Sequence, residues 1–217
     1  MFAAEGRDEV FQTSPLSVRM RPLTFEEYVG QTHILGPGKL LTRAVESDRL
    51  SSIILYGPPG VGKTTLALCI SQKTKAHFER LNAVMNNVED LRRVITSAQN
   101  RRLMSGNRTI LFIDEIHRFN KAQQDVLMPD IESGNIILIG ATVMNPFFSL
   151  ISPLVSRSLV FELQPLTQAD ILSLLKRALT DKERGLGLHP VDAEEEALQF
   201  LAKTSDGDGR RADTTNF

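Results

Sequence analysis

The sequence is poor in several features that would restrict its class. It has one cysteine (Cys69), no tryptophan and only 6% aromatic residues among 217 residues. A single cysteine excludes an internal disulfide framework and is typical of a reducing compartment. Because Cys69 lies in an apolar helical pattern, we interpret it as a buried core residue rather than a reactive thiol.

An excess of charge of one sign and long apolar runs are also missing. The 25 basic and 26 acidic residues leave a net charge of −1, so no overall positive field attracts nucleic acid. The longest apolar run, residues 136–144, is too short to cross a bilayer, and charges at positions 5–9 replace the apolar stretch of a signal peptide. The sequence therefore predicts a cytoplasmic protein, nucleoid-associated if bacterial, without a membrane partner.

Short apolar segments alternate with helical patterns along most of the chain. Segments such as 109–114 are apolar on both faces, which is typical of parallel strands covered by helices. This alternation predicts an α/β fold, a doubly wound parallel five-stranded sheet. The predicted strands are 53–56, 78–81, 109–114, 135–141 and 159–163. The main helices predicted between them are 63–73, 88–99 and 121–130.

After Pro165 the pattern changes to helices alone. Thr167 and Asp170 have the spacing of a capping box before an amphipathic stripe, and Asp192 with Glu195 suggests a second helix start. We therefore predict three segments. They are a flexible leader at 1–14, an ATP-binding core at 15–164 and a partial all-helical lid at 165–217.

A glycine-rich segment follows the first predicted strand and opens a helix. Its residues are Gly57, Pro58, Pro59, Gly60, Val61, Gly62, Lys63, Thr64 and Thr65. They match G-x-x-x-x-G-K-[ST], in which glycines let backbone N–H groups surround phosphate oxygens at a helix N-terminus. Lys63 is predicted to reach the β- and γ-phosphates of ATP, and the Thr64 hydroxyl to bind Mg²⁺. The weaker alternative is a glycine turn without a ligand.

An acidic pair, Asp114 and Glu115, ends the third predicted strand. Two adjacent carboxylates are costly to bury there unless a cation or a polarised water uses them. We therefore predict that Asp114 binds Mg²⁺ and that Glu115 is the general base for the attacking water. The alternative, a solvated strand end, is weak beside a phosphate loop.

Three classes of P-loop protein compete for this sequence. Asp114-Glu115-Ile116-His117 matches the motif of DExH helicases, but those enzymes need two RecA-like domains, for which 217 residues are too few. Small GTPases are excluded because the sequence has no Asn-Lys-x-Asp guanine-binding segment. The phosphate loop resembles that of AAA+ ATPases, which is the class we favour.

Within this class the sequence resembles the replication-associated recombination protein A family, which includes the eukaryotic Werner-helicase-interacting ATPase. The similarity covers residues 15–212 and is most specific in the unbroken stretch 109–125. Segments 17–22, 28–36 and 206–212 also match. The family is related to clamp loaders. The resemblance therefore implies Mg²⁺-dependent hydrolysis of ATP to ADP, coupled to action on DNA at stalled or damaged replication forks.

The resemblance also implies roles for three residues outside the phosphate loop. Thr142 matches sensor 1, a polar group that detects the γ-phosphate or positions water. Arg157 matches an arginine finger that acts on ATP of the next subunit, and Arg210 matches sensor 2 in the lid. The structural alternatives are a strand cap for Thr142 and a surface ion pair for Arg157.

Further expectations concern the surroundings of these residues. The residues expected to line the adenine pocket are Val29, Gly30 and Ile34. Asn82, at the end of the second strand, is expected to restrain Glu115 as a switch partner. Asp130 stands where the family usually has His, and we expect it to make the rim of its helix more acidic.

The resemblance implies several partners. They are DNA (single-stranded or forked), single-strand-binding protein, and further copies of the chain through a C-terminal oligomerisation domain that is expected to be absent here. A basic stretch is the candidate DNA contact, although a solvated helix face explains it equally well, and no aromatic residue lies within it to stack on a base. Its members are Arg92, Arg93, Arg101, Arg102 and Arg108. The competing function is an interaction module that binds ATP without turnover.

Overall fold

The computed structural model describes residues 14–74, 76–191 and 193–214. The predicted leader, apart from Ser14, and the predicted capping residue Asp192 lie outside the described residues. Within the part of the chain that is described, no helix is long and apolar enough to span a membrane.

The described strands and helices alternate through the first three quarters of the chain. The strands are β1 Ser52–Tyr56, β2 His77–Asn82, β3 Thr109–Asp114, β4 Ile136–Thr142 and β5 Ser158–Glu162. The helices are α1 Leu16–Arg19, α2 Thr32–Leu35, α3 Leu40–Glu46, α4 Lys63–Lys73, α5 Val88–Ser105, α6 Lys121–Glu132, α7 Pro146–Ser149, α8 Ser152–Ser156, α9 Gln168–Thr180, α10 Glu195–Thr204 and α11 Gly209–Thr214. A 3₁₀ turn, Ile116–Arg118, follows β3.

The five strands form one parallel sheet in the order β2-β3-β4-β1-β5. The connection from β1 passes over β4 and β3 to reach β2, whereas β5 pairs with the other side of β1. The strand order therefore reverses at β1, and open α/β sheets bind ligands at the carboxyl ends of the strands near such a reversal. The predicted doubly wound α/β fold is confirmed.

The predicted strands are confirmed to within one residue at each end, but α5 is six residues longer than the predicted 88–99. The apolar periodicity stops early because its last turn faces solvent, where Leu103 and Met104 are 84% and 90% exposed. The helix ends at Gly106, whose φ of 70° is the left-handed conformation typical of a C-terminal cap.

The expectation that Asp130 lies on an acidic helix rim is wrong. Asp130 is buried, with only 6% of its surface exposed. Its carboxylate accepts hydrogen bonds from Gln99 Nε2 at 2.8 Å and Asn135 Nδ2 at 2.9 Å. These two amides compensate the cost of burying the carboxylate, so Asp130 joins α5 and α6.

The chain divides into two compact units. The sheet unit consists of Gln31–Pro58 and Lys63–Gln164. The helical unit contains the described residues up to Gly30, Pro59–Gly62 and the residues from Pro165 onward. Residues 15–30, predicted as part of the core, thus group with the C-terminal helices.

Arginine contacts explain this grouping of the N-terminal residues. Arg177 on α9 donates to the carbonyl of Glu27 at 2.7 Å and to that of Met20 at 3.2 Å. The predicted capping box of Thr167 and Asp170 at the start of α9 is confirmed. Helices α9 and α10 then pack through a small apolar core of Ile171, Leu175, Leu198 and Ala202.

The ion pair between Glu27 and Arg184 is expected to stabilise the helical unit. Arg184 binds both carboxylate oxygens, at 2.9 and 3.1 Å, and this hydrogen bonding lowers the pKa of Glu27 below its ordinary value of 4.5. Replacing Arg184 with Gln should lower the free energy of unfolding by about 1–2 kcal/mol at pH 7. Urea unfolding measures this difference, with the exposed Lys182→Gln as the control.

The pH dependence of that difference follows from the direction of the shift. Because the folded pKa of Glu27 lies below the unfolded value, the stabilisation is fully present above 4.5 and is lost as the pH falls through the folded pKa. The difference between parent and Arg184→Gln should therefore shrink below pH 4 on a scale of about one unit. A difference that is the same at pH 3 and pH 7 would contradict the assignment to this pair.

Candidate functional site

The carboxyl ends of neighbouring strands bring the predicted site residues of the sheet unit to one edge. Tyr56, the last residue of β1, pairs with Thr142, and Asn82 pairs with Asp114. Since all strands are parallel, Gly57, Asp114 and Thr142 lie at the same edge of the sheet. The phosphate loop and the acidic pair, separated by some fifty residues of sequence, therefore meet there.

The phosphate loop begins at a position that only glycine can occupy. Gly57 has a φ of 150°, and a Cβ atom there would collide with the carbonyl oxygen of Leu163. Its N–H donates to the carbonyl of Thr142 at 3.2 Å, which fixes the start of the loop to β4. Helix α4 then begins at Lys63, so its N-terminus follows the loop directly.

The middle of the loop, Pro59–Gly62, belongs to the helical unit and has contacts there. The Tyr28 hydroxyl lies 3.2 Å from the carbonyl oxygen of Gly62, to which it donates, and a Cβ at Gly62 would be 2.5 Å from that hydroxyl. The N–H of Gly209 donates to the carbonyl of Gly60 at 3.2 Å. Arg210, the exposed candidate for sensor 2, follows Gly209 in the first turn of α11.

Two polar side chains at the start of α4 are buried. Lys63 is 8% and Thr64 is 5% exposed. The Lys63 ammonium donates to the carbonyl oxygens of Gly57 at 2.7 Å and Pro58 at 2.6 Å. A buried ammonium is unfavourable without such partners, and here they hold the positive charge at the start of the phosphate loop.

Thr64 and Asp114 are suited to hold a magnesium ion. The Thr64 hydroxyl lies 3.4 Å from Asp114 Oδ2. Adjacent ligands of an octahedral Mg²⁺ with bonds of about 2.1 Å lie roughly 3 Å apart, so small movements would let both oxygens bind one ion. Among the described residues no three His, Cys, Asp or Glu form a metal-binding group. Mg²⁺ usually takes one or two protein ligands together with water and phosphate oxygens.

Glu115 has an unusual backbone conformation directly after β3. Its φ and ψ are 55° and 39°, in the left-handed region that costs a non-glycine residue about 1–3 kcal/mol. Its carboxylate lies 3.4 Å from the ring of His117. The expected contact with Asn82 is not what the structure shows, because the Asn82 side-chain oxygen accepts from the N–H of Val84 at 2.8 Å. His117 thus takes the place beside Glu115 that we expected for Asn82.

Thr142 is fully buried at the end of β4 and has two polar neighbours. Its hydroxyl accepts from the N–H of Met144 at 3.0 Å and lies 2.8 Å from Nδ1 of His117. The contact with Met144 is the strand cap considered as the alternative role of Thr142. The contact with His117 places a second polar group between Thr142 and Glu115.

Burial lowers the pKa of the His117 ring, whose side chain is 7% exposed. The carboxylate of Glu115 opposes this shift, and Arg118 adds to it. The net pKa lies below the ordinary value of 6.5, so the ring is neutral at pH 7.

Arg157 lies at the opposite edge of the sheet. It immediately precedes Ser158, the first residue of β5, and Ser158 pairs with Ser52, the first residue of β1. Since β1 is five residues long, its two ends are about 13 Å apart. The Arg157 guanidinium, 2.8 Å from the Glu132 carboxylate, is thus placed away from the phosphate loop of its own chain.

The comparisons with known proteins agree with this geometry. Residues 20–154 match the Holliday junction DNA helicase RuvB P-loop domain. The chain belongs to this family. It is 49% identical over 197 residues to the replication-associated recombination protein A of Coxiella burnetii, with 91% of this chain and 44% of that protein covered. It is 45% identical over 199 residues to the ATPase WRNIP1 of Dictyostelium discoideum, with 92% and 22% covered.

A solved structure supports the same relationship for the RuvB-type domain described here. The Thermotoga maritima RuvB Holliday junction branch migration motor superposes with a TM-score of 0.73 at 32% identity, covering 89% of this chain and 63% of that chain. The predicted resemblance to the replication-associated recombination protein A family is confirmed by the sequence relatives. The chain spans less than half the length of those curated proteins.

The residues expected at the adenine lie in both units of this RuvB-type domain. In the sheet unit, Ile34 is 8% exposed in the short helix α2. In the helical unit, Gly30 has a φ of 79°, and a Cβ there would be 2.8 Å from the Leu166 side chain. Val29 is half-buried beside it. Their contact with adenine stays a prediction.

The basic stretch of this RuvB-type domain is not a uniform positive surface. Arg101 binds Thr109 at 2.7 Å and Glu79 at 3.2 Å, and Arg108 forms an ion pair with Asp48. A third arginine, Arg93, lies 3.5 Å from Asp90, so three of the five arginines in the stretch have acidic partners. Arg92 and Arg93 are exposed on α5, whereas Arg102 on the same helix is partly buried.

Two residues near the site were missed as functional candidates. Tyr28 belongs to a segment quoted for the family resemblance, but nothing local in the sequence predicts its bond to the phosphate loop. His117 was noticed only as part of the Asp-Glu-x-His string. Its position two residues after Glu115 was a usable indication, because the short turn Ile116–Arg118 brings it back toward that carboxylate.

Proposed function

We propose that this chain is a Mg²⁺-dependent AAA+ ATPase domain, clamp-loader-like, of a protein that acts on DNA in replication-fork maintenance and recombination or repair. One observation supports the ATPase activity most directly. Buried Thr64 meets Asp114 at the carboxyl edge of the sheet, beside buried Lys63 and with Glu115 next in the chain.

In the proposed mechanism the chain contributes mainly position and charge. Backbone N–H groups of the phosphate loop and the Lys63 ammonium hold the β- and γ-phosphates of ATP. Thr64 and Asp114 would hold Mg²⁺, which neutralises charge on the phosphates. Glu115 accepts a proton from the attacking water, and Thr142 helps to orient that water, so that ADP and phosphate form.

Replacing Lys63 with alanine is expected to weaken ATP binding by about tenfold to a hundredfold. The change removes one charge-assisted contact with the phosphates, worth roughly 1.5–3 kcal/mol, and leaves the glycine backbone intact. Titration calorimetry with Mg²⁺-ATP measures the effect. Lys73→Ala, at the exposed end of the same helix, is the matched control and should bind ATP as the parent does. Unchanged ATP affinity of Lys63→Ala would show that this loop does not bind the phosphates of ATP as proposed.

A second candidate function is a module that binds ATP and signals without turnover as a single chain. The position of Arg157 favours it, because that arginine immediately precedes β5, at the end of the sheet opposite the phosphate loop of its own chain. Phosphate release by the chain, alone and with single-stranded DNA, separates the two candidates. Turnover that rises with protein concentration or with DNA supports the ATPase, and tight binding without phosphate release supports the module.

The action on DNA is proposed from the relatives and from one surface. The arginines Arg92, Arg93 and Arg102 on α5 are the proposed phosphate contacts. Arg101 and Arg108 are held in ion pairs with side chains only 23% and 28% exposed, whereas the Arg93 side chain, 3.5 Å from Asp90, is 75% exposed. We also propose assembly into a homo-oligomer and contact with single-strand-binding protein in the whole protein. The cytoplasmic location stays a prediction.

A further inference from the structure

The space between Thr142 and Glu115 is filled by a side chain that the proposed mechanism does not use. The His117 ring is 7% exposed, so it belongs to the interior of the sheet unit. Its Nδ1 lies 2.8 Å from the Thr142 hydroxyl, and its Nε2 lies 3.4 Å from Glu115 Oε2. The two nitrogens flank Cε1, and their bonding directions in the ring plane point away from each other. One rigid ring therefore contacts both residues at once.

The partners of the ring decide which nitrogen carries the proton. An ionised carboxylate only accepts hydrogen bonds. An unprotonated Nε2 is also an acceptor, so its lone pair would repel the carboxylate oxygen of Glu115. A neutral ring with its proton on Nε2 leaves Nδ1 as an acceptor. The Thr142 hydroxyl then donates to Nδ1 at 2.8 Å, a closer acceptor than the Met144 carbonyl oxygen at 3.4 Å, while its own oxygen accepts from the N–H of Met144 at 3.0 Å.

These contacts form a directed chain of polar groups. Met144 N–H donates to Thr142, Thr142 donates to His117, and the Nε2 atom of His117 lies 3.4 Å from the Glu115 carboxylate, a close electrostatic contact. A phosphate oxygen near Thr142 is also an acceptor, so it competes with His117 for the single hydroxyl proton of Thr142. Losing that donor leaves Nδ1 buried without a partner, which is costly, and the ring or its proton must adjust.

We propose that His117 is a positioning residue that links Thr142 to Glu115, so that the state of the terminal phosphate at Thr142 changes the orientation of the base. The link rests on the proposed ATPase function, which supplies the phosphate and the base. The observed contact is the 3.4 Å approach of the His117 ring to the carboxylate of Glu115, whose backbone is left-handed at φ 55°. His117 touches neither ATP nor the attacking water in this proposal.

The tautomer of His117 is tested directly by nitrogen NMR of the histidine rings in the whole chain. The sequence has only four histidines, and His117→Gln identifies the relevant signals by their disappearance. At pH 7 without nucleotide, the expected result is a neutral ring protonated at Nε2. Its nitrogen shifts should change when a non-hydrolysable ATP analogue replaces ADP. A ring protonated at Nδ1, a charged ring, or identical shifts with both nucleotides would overturn the link.

Turnover measurements separate a positioning role from a merely structural one. His117→Ala should lower kcat by about 10- to 100-fold with little change in ATP affinity, because only the orientation of Glu115 is lost. His117→Gln places an amide near the former Nε2 and should recover part of kcat. His117→Asn places its amide near Nδ1 and should not. A parental kcat in His117→Ala, or an equal loss of ATP binding in all three variants, would overturn the proposal.

Two further measurements remove the remaining ambiguities. His117→Ala should add no loss of turnover to Glu115→Gln, since both changes disable the same base, whereas independent effects would multiply and contradict the link. Thermal unfolding of each variant identifies loss of fold. Absence of turnover in the parent would contradict the proposed ATPase function alone, because the ring tautomer is measured without turnover.

Discussion

Replacing Arg157 with alanine is expected to lower ATP turnover by about 10³- to 10⁵-fold in an assembled form of the protein, with nucleotide binding unchanged. The reason is its position at the start of β5, at the edge of the sheet opposite the phosphate loop. From there we expect it to act on ATP held by another copy. Phosphate release, measured beside light scattering, determines the effect and the state of assembly together.

Two control variants distinguish the two possible roles of Arg157, an arginine finger and a surface ion pair. Glu132→Gln removes the same ion pair, whose partners are 43% and 49% exposed, but keeps the arginine. Lys176→Ala breaks a similarly exposed pair with Glu195 on the helical unit. Both should retain turnover. If Glu132→Gln loses as much ATP turnover as Arg157→Ala, turnover depends on the ion pair itself, and the assignment of Arg157 as an arginine finger is wrong.

Mixing two inactive variants tests whether the arginine acts between chains. An Arg157→Ala chain retains Glu115, and a Glu115→Gln chain retains Arg157. In a mixed assembly some ATP sites combine the intact Glu115 of one chain with the intact Arg157 of its neighbour. Turnover should therefore reappear on mixing. Full-rate hydrolysis by a parent chain that scattering shows to be a monomer would instead show that Arg157 is no finger.

Replacing Glu115 with glutamine is expected to lower turnover by about 10²- to 10⁴-fold while ATP still binds. Glutamine keeps the size of the side chain but cannot accept the proton of the attacking water. Calorimetry and phosphate release on the same preparation measure binding and turnover. This comparison needs a form with measurable parental turnover, so it is made in the assembled protein.

A control variant with the same Glu→Gln change at another position shows whether the effect is specific to Glu115. Glu46→Gln alters the same functional group at the exposed end of α3, away from the site, and should leave both measurements unchanged. Turnover of Glu115→Gln at the parental rate would show that Glu115 does not activate water. Loss of ATP binding would instead indicate a structural role for its left-handed turn.

Much of the candidate site could be predicted because its parts are local in sequence. Lys63 and Thr64 directly follow a glycine-rich turn, and the apolar run before Asp114 predicts a buried strand that ends at a carboxylate. Parallel strands then place their carboxyl ends at one edge. The length of α5 was underestimated for a related reason, since its last exposed turn has no apolar periodicity to predict it.

Other features depend on residues that meet only after packing. Asp130 was expected on a surface rim, but amides from Gln99 and Asn135 allow it to be buried. Glu115 was expected beside Asn82, and it lies beside His117 instead. In each case the sequence contains the polar residue but not the identity of its partner, which is set by side-chain direction in the folded chain.

By itself, the sequence determined the class of this protein: an α/β P-loop domain of the AAA+ class, with its loop, its acidic pair and its strands to within one residue. These features follow from short-range spacing and from hydrophobic periodicity, which act within one turn or one strand. Only the tertiary structure decided that His117 spans from Thr142, 25 residues away, to Glu115, and that Arg157 lies at the far edge of the sheet. Such contacts require close packing of distant segments, and no local preference specifies them.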